Sequence, residues 1–231
     1  MIQNNNLIDK LPYQSENTKQ ISKYIIRVYT ILMMFCCAYI FGVYAGIVGY
    51  KNEFPEFILV VYPFIAMMIS ILLLATRINK MNLSMIIAFS AGMMSFHLIY
   101  NTLKTDPSIV IIACLSTIVI FCIMSFVTYF SQFNDLYYTS AIISNLLLIP
   151  IIISIASLFF NNVYFHMFDL IVTLYIFSMS IIHNTQSMIK KAKQFNSNNE
   201  GEQILAALSL FLDLTNIFPA TLKFAKKLKQ D

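Results

Sequence analysis

Charge divides the chain into long uncharged stretches. Positions 28–50, 57–76, 81–103, 107–134, 136–168 and 170–189 contain no Asp, Glu, Lys or Arg, and each interval is at least 20 residues long. About 20 apolar residues let a helix cross the roughly 30 Å hydrocarbon layer of a bilayer, so every interval can hold a span. Lipid offers no partner for backbone N–H and C=O groups, which leaves helices or a closed barrel. Continuous apolar runs such as 109–130 lack the alternation of a barrel strand. The pattern predicts an all-α integral membrane protein, a seven-helix bundle with helices near 25–49, 57–76, 83–103, 109–130, 139–160, 164–189 and 203–224.

Two boundaries need argument. The interval 136–168 is too long for one span and too short for two, and Asn161 and Asn162 punctuate it, so the fifth helix ends there. The last segment is long enough to cross but carries Asp213 at its middle. An aspartate there costs about 2.5–3.5 kcal/mol on insertion scales, which a full crossing tolerates. The alternative is six spans plus a re-entrant segment. Pro63, Pro150 and Pro219 fall inside spans and predict kinks.

Composition agrees with the pattern. The chain of 231 residues is 58% hydrophobic and 11% charged, with mean hydropathy +0.73, against roughly 25% charge in a soluble domain, so a water-soluble globule is excluded. The connections are too short for a further domain, giving a single transmembrane domain over 1–231: a polar cytosolic segment 1–24, the bundle 25–224 and a Lys-rich tail 225–231. The first 24 residues lack the apolar core and cleavage site of a signal peptide, so the first span is expected to direct insertion. The net charge of +4 is spread over loops and tail, which speaks for topology and against nucleic-acid binding. Cys36, Cys37, Cys114 and Cys122 lie within spans at no metal-ligand spacing and are expected to act as small buried hydrophobes.

Orientation follows from positive charge. Lys10, Lys19, Lys23, Arg27, Arg77, Lys80, Lys190, Lys191 and Lys193 would share one side, nine cations against Lys51 and Lys104 on the other. The tail adds Lys223, Lys226, Lys227 and Lys229 to whichever side it reaches: nine against six if the last segment crosses, thirteen against two if it returns. Both counts predict a cytosolic N-terminus.

Asp213 is the residue that demands a role, because an intramembrane carboxylate normally faces a cavity or a partner. Glu202, Ser209, Asp213 and Asn216 are spaced seven, four and three apart and line one helix face. Thr173, Ser180, Asn184 and Ser187 repeat that spacing in the preceding helix, with His183 beside them. Such hydroxyls and amides also serve plain interhelical bonding; the carboxylate tips the balance toward an aqueous path. Carboxylate, hydroxyl and amide oxygens are hard ligands suited to Ca²⁺, whereas a zinc site is disfavoured. Asp106, Asp135 and Asp169 read as loop or interface charges, and His97 and His166 as packing residues. Nothing resembles a nucleophile with its base or a phosphate loop, so an enzyme is not expected, nor a cofactor beyond Ca²⁺ as permeant ion.

The stretch Ala207-Leu208-Ser209-Leu210-Phe211-Leu212-Asp213-Leu214-Thr215-Asn216-Ile217-Phe218 resembles the last segment of the Bax-inhibitor family (the transmembrane Bax inhibitor motif proteins), which includes the Golgi anti-apoptotic proteins. Phe177-Ser178-Met179-Ser180-Ile181-Ile182-His183-Asn184-Thr185-Gln186-Ser187-Met188-Ile189 is similar to the end of the family's sixth helix, and Arg27-Val28-Tyr29 more loosely to the start of its first. The resemblance implies a seven-helix bundle around a semi-hydrophobic last helix, passing Ca²⁺ out of internal stores and restraining cell death. It also implies a Golgi or endoplasmic reticulum membrane, with lipid, Ca²⁺ and apoptosis regulators or further copies of the chain as partners.

In the family the aspartate at the position of Asp213 pairs with a second aspartate, and their shared proton couples closure to pH; Glu202 matches an acidic position at the mouth of the last helix. Here Asn184 stands where the second aspartate is expected. An aspartate beside an asparagine lacks the like-charge repulsion of a carboxyl pair, so pH gating should be blunted or shifted. Desolvation is then the main influence on Asp213, and His183, if protonated nearby, would oppose it by favouring the ionised carboxylate. Asp213, Asn184, Glu202, Asn216, Ser209 and His183 are therefore the expected ion path or pH sensor. The alternative function is a non-conducting membrane protein that inhibits cell death by binding partners.

Overall fold

In the computed structural model, residues 10–76, 79–130, 163–194 and 199–229 are described. They form six helices: α1 Lys10–Lys51, α2 Glu56–Leu74, α3 Lys80–Thr105, α4 Pro107–Phe130, α5 Val163–Gln194 and α6 Glu200–Leu228. Among the described residues there is no strand, and all six helices are long and apolar enough to cross a membrane. The expected fifth segment near 139–160 and Pro150 lie outside the described residues.

The largest departure from the expected boundaries is at the start of α1, which begins at Lys10 rather than near 25. Hydropathy marks where lipid contact starts, not where helical hydrogen bonding starts, and 10–24 contains Lys, Gln and Glu, which favour helices. Pro12 falls in the first turn, where backbone N–H groups have no partner inside the helix to lose. The helices α5 and α6 likewise extend beyond the expected 164–189 and 203–224, at their charged ends. α2 and α6 run through Pro63 and Pro219 without ending.

One tight turn shows how local sequence ends a span. Asp106 is extended and caps α4: its Oδ1 accepts from the Ser108 backbone N–H at 2.9 Å and from the Ser108 hydroxyl at 2.7 Å. Pro107 occupies the first helical position, where its missing N–H costs nothing. Lys229, at the far end of α6, closes on the Asp106 carboxylate and donates to the Ser108 hydroxyl at 2.7 Å. The Lys229 ammonium, then the Ser108 hydroxyl and amide, hold the Asp106 carboxyl down at about 2.

That clasp fixes the course of α6. Its first turn carries Glu200, paired with Arg27 of α1 at 2.9 Å, and Gly201 sits beside the Lys80 side chain at the start of α3. Its last turn reaches the α3–α4 connection, so α6 spans the bundle from end to end. On the way it touches α1, α3, α4 and α5, and half of its most apolar stretch is buried, a larger share than in any other described span. α2, by contrast, packs mainly on α3 and turns Phe57, Tyr62 and Leu72 outward. Cys37, Cys114 and Cys122 also face outward and Cys36 is half-buried, which corrects the expectation that the cysteines are buried: on a surface covered by lipid, a thiol is not driven inward.

Candidate functional site

The site lies where α5 and α6 run antiparallel. Ser180 and Asn184 are one turn apart on α5, so both project from the same face. That face meets Asp213 of α6, which is only 4% exposed. The Ser180 hydroxyl donates to Asp213 Oδ1 at 2.7 Å and the Asn184 amide donates to Oδ2 at 2.7 Å. Asn184 Nδ2 also lies 3.4 Å from Ser180 Oγ, closing a three-residue ring of polar atoms. Each carboxylate oxygen thus accepts one bond from a neutral donor, and among the described residues no ion pair involves Asp213.

A buried carboxylate without such donors is expensive, and hydrogen bonds to a charged group contribute about 1.5–3 kcal/mol each. The two bonds tie α5 to α6 at mid-depth, while Leu210, Phe211 and Ile217 bury the rest of that level. Phe211 meets Phe35 and Tyr39 of α1 edge-on, at ring separations of 5.9 and 6.1 Å. Helix α6 is therefore held on its polar face by hydrogen bonds and on another face by aromatic rings.

The six expected residues separate into distinct places. Asp213 and Asn184 are in direct contact. Glu202 lies eleven residues up the helix, roughly 16 Å away at 1.5 Å per residue, and accepts from Lys191 Nζ of α5 at 2.6 Å. Ser209 turns its hydroxyl back to the Ala206 carbonyl at 2.9 Å, and Asn216 is exposed, so neither joins the ring around Asp213. His183 is half-buried and its Nδ1 has no hydrogen-bond partner. Ser180, noted in the sequence only as part of a stripe, completes the ring; its spacing of four from Asn184 was the available signal. Lys191 as the partner of Glu202 had no sequence signal beyond proximity to the helix end.

Asp169, expected near the start of its helix and at an interface, lies six residues after Val163 at the start of α5, half-buried, with its Oδ1 lacking a hydrogen-bond partner. His97 is exposed, with Nδ1 3.0 Å from the Asn101 amide and Nε2 3.9 Å from Glu56. Among the described residues no group of three His, Cys, Asp or Glu side chains is placed to hold a metal ion.

Among the described residues, six lipid-length helices, one of them an inner helix with a sequestered carboxylate packed against four of the others, define a multi-pass helical membrane protein. A family model described as inhibitor of apoptosis-promoting Bax1 matches residues 21–230, and the chain belongs to that family, the Bax inhibitors, a class of anti-apoptotic membrane proteins. No curated protein sequence matches it.

Proposed function

We propose that the protein passes Ca²⁺ down its gradient out of Golgi or endoplasmic reticulum stores and thereby restrains apoptosis, with pH gating weakened by Asn184. The observation that carries this reading is the ring of Ser180, Asn184 and Asp213 buried at mid-depth between α5 and α6. When α5 moves away from α6, Asp213 oxygens, the Ser180 hydroxyl and the Asn184 carbonyl become hard ligands along the seam, the set a calcium ion takes. A pair of carboxyls needs a shared proton to bridge it; the Asn184 amide supplies hydrogens to the same place at every pH, so the seam closes without one. The Lys191–Glu202 pair is a second closure nearer the mouth.

The seven-helix arrangement belongs to this proposal. It is supported by the directions of α4, which ends at the end of the bundle where Glu200 lies, and α5, which begins at the opposite end. With α6 crossing, nine cations stand against six, which favours a cytosolic N-terminus.

A second reading, a non-conducting protein that acts through membrane partners, is favoured by one feature: both oxygens of Asp213 are already taken within the protein. Ca²⁺ flux through purified protein in liposomes, measured across mildly acidic to mildly basic pH for the native chain and Asp213→Asn, separates the two. Flux that disappears in the variant supports the path; a folded native protein that conducts at no pH leaves the interaction reading.

A further inference from the structure

A second polar anomaly lies away from Asp213. In a bilayer, a helical Ser or Thr can satisfy its hydroxyl on the carbonyl one turn earlier, and Thr30, Ser95, Thr102, Thr117, Thr128 and Ser178 all do so. Thr185 does not: it is 2% exposed, and its Oγ1 has no partner. Thr185 forms part of the wall of a cavity of about 510 Å³ between α1, α4 and α5, with Ile25, Tyr29, Phe121, Phe126 and Tyr129. That volume lies in the range of small-molecule sites, and apolar walls with few polar groups are their usual composition.

The cavity is set near one end of the bundle. Tyr29 is two residues from Arg27, Tyr129 ends its span, and Thr185 lies five residues inside Lys190, about 8 Å by helical rise. Phe126 and Tyr129 form an outer wall on the outward face of α4. A charged headgroup has no counterpart on these walls, whereas an apolar body with one neutral hydroxyl matches both the aromatic faces and the two wall hydroxyls without a partner, Thr185 Oγ1 and, one helix away on α4, Ser125 Oγ. The stretch Arg27-Val28-Tyr29-Thr30-Ile31-Leu32 also has the basic, aromatic, aliphatic order of short segments associated with cholesterol contact, a weak pattern alone but here placed on the cavity wall.

We infer that the cavity between α1, α4 and α5 binds a membrane sterol, whose hydroxyl pairs with Thr185 Oγ1 and whose rings lie against Tyr29, Phe121 and Phe126. The inference is independent of whether the protein conducts ions.

The test uses the full chain in phosphatidylcholine vesicles with a photoreactive cholesterol probe, followed by peptide mapping. Labelling is expected on the cavity-lining parts of α1, α4 and α5, displaced by unlabelled cholesterol. Thr185→Val keeps the side-chain shape and removes the hydroxyl, and should weaken displacement by about three- to tenfold, the worth of one neutral hydrogen bond. Ser125→Phe, which narrows the same cavity and removes its other unpartnered hydroxyl, should block labelling without touching Thr185. Labelling spread equally over Phe57, Tyr62 and Leu72 of α2, displacement by a diacyl lipid as effective as by cholesterol, or undiminished competition in folded Thr185→Val would each overturn the assignment. Should Thr185→Val fail to fold, site mapping and competition in the native chain still decide it.

Discussion

Two helix contacts in this bundle are made in opposite ways. Where α1 crosses α3, Gly42 and Gly92 bring backbone against backbone: a Cβ on Gly42 would stand 2.1 Å from the Phe89 carbonyl oxygen, and one on Gly92 would stand 2.0 Å from that of Tyr39. Where α5 meets α6, the contact is a set of side-chain bonds to Asp213 and Glu202. The first kind depends on shape and has no charge to titrate. The second depends on charge and hydrogen bonds, which a proton or a cation can rearrange. A membrane bundle that must open at one seam without coming apart needs both, because lipid supplies no hydrophobic drive to push separated helices together again.

The contrast is broken most severely at the glycines. Gly92→Ala should cost about 3 kcal/mol, the upper end for overpacking, because the atom that must give way is backbone rather than a flexible side chain. Thermal unfolding in detergent measures it, and an unchanged melting temperature would mean that α1 and α3 part without penalty. Asn184→Asp, at the other contact, should leave the fold intact and make flux steeply dependent on pH between about 5 and 8, since two facing carboxyls titrate as a pair. A flat profile in that variant would remove Asn184 from the gating account.

Smaller effects are expected at the ends of the bundle. Lys191→Met breaks a partly exposed ion pair and should change stability by under about 1 kcal/mol, while raising flux if that pair closes the mouth; equal flux would reduce it to a surface contact. The Asp106–Lys229 clasp should have the least effect and a defined pH window. The Asp106 carboxyl is held at about 2 against an ordinary 3.8, so the folded state favours its ionised form. Its stabilisation is complete above 3.8, declines as pH falls through that interval and is gone below about 2. Proteolysis of the α6 end across this range, compared with Asp106→Asn, reads it: the native chain should lose protection on acidification and the variant should show no such step.

Much of the architecture was legible because lipid is a strict solvent. Charge-free intervals located α2, α3 and α4 to within a few residues, since a charge in hydrocarbon is costly wherever it falls. The same signal is blind beyond the interface, which is why the polar first turns of α1 escaped it: water neither requires nor forbids a helix. At the site, helical spacing placed Ser180 and Asn184 on one face and identified Asp213, but could not say how far a helix is rotated. That rotation sends Ser209 to its own backbone and Asn216 outward while Asp213 points in. The unmet hydroxyl of Thr185 was illegible for a further reason: threonine in a span usually satisfies itself, so only its surroundings reveal that this one does not.

The enclosure of α6 also bears on how the chain is made. The helix that touches α1, α3, α4 and α5 is synthesised after all four, so during translation those helices enter the membrane around a place that is still empty. Their inward faces, including Ser180 and Asn184, must wait for Asp213 before their polar groups are answered. Assembly of this protein is therefore a late insertion rather than a stepwise addition of neighbours, and a ribosome stalled before Glu200 would leave a nascent bundle with unpaired polar groups facing lipid.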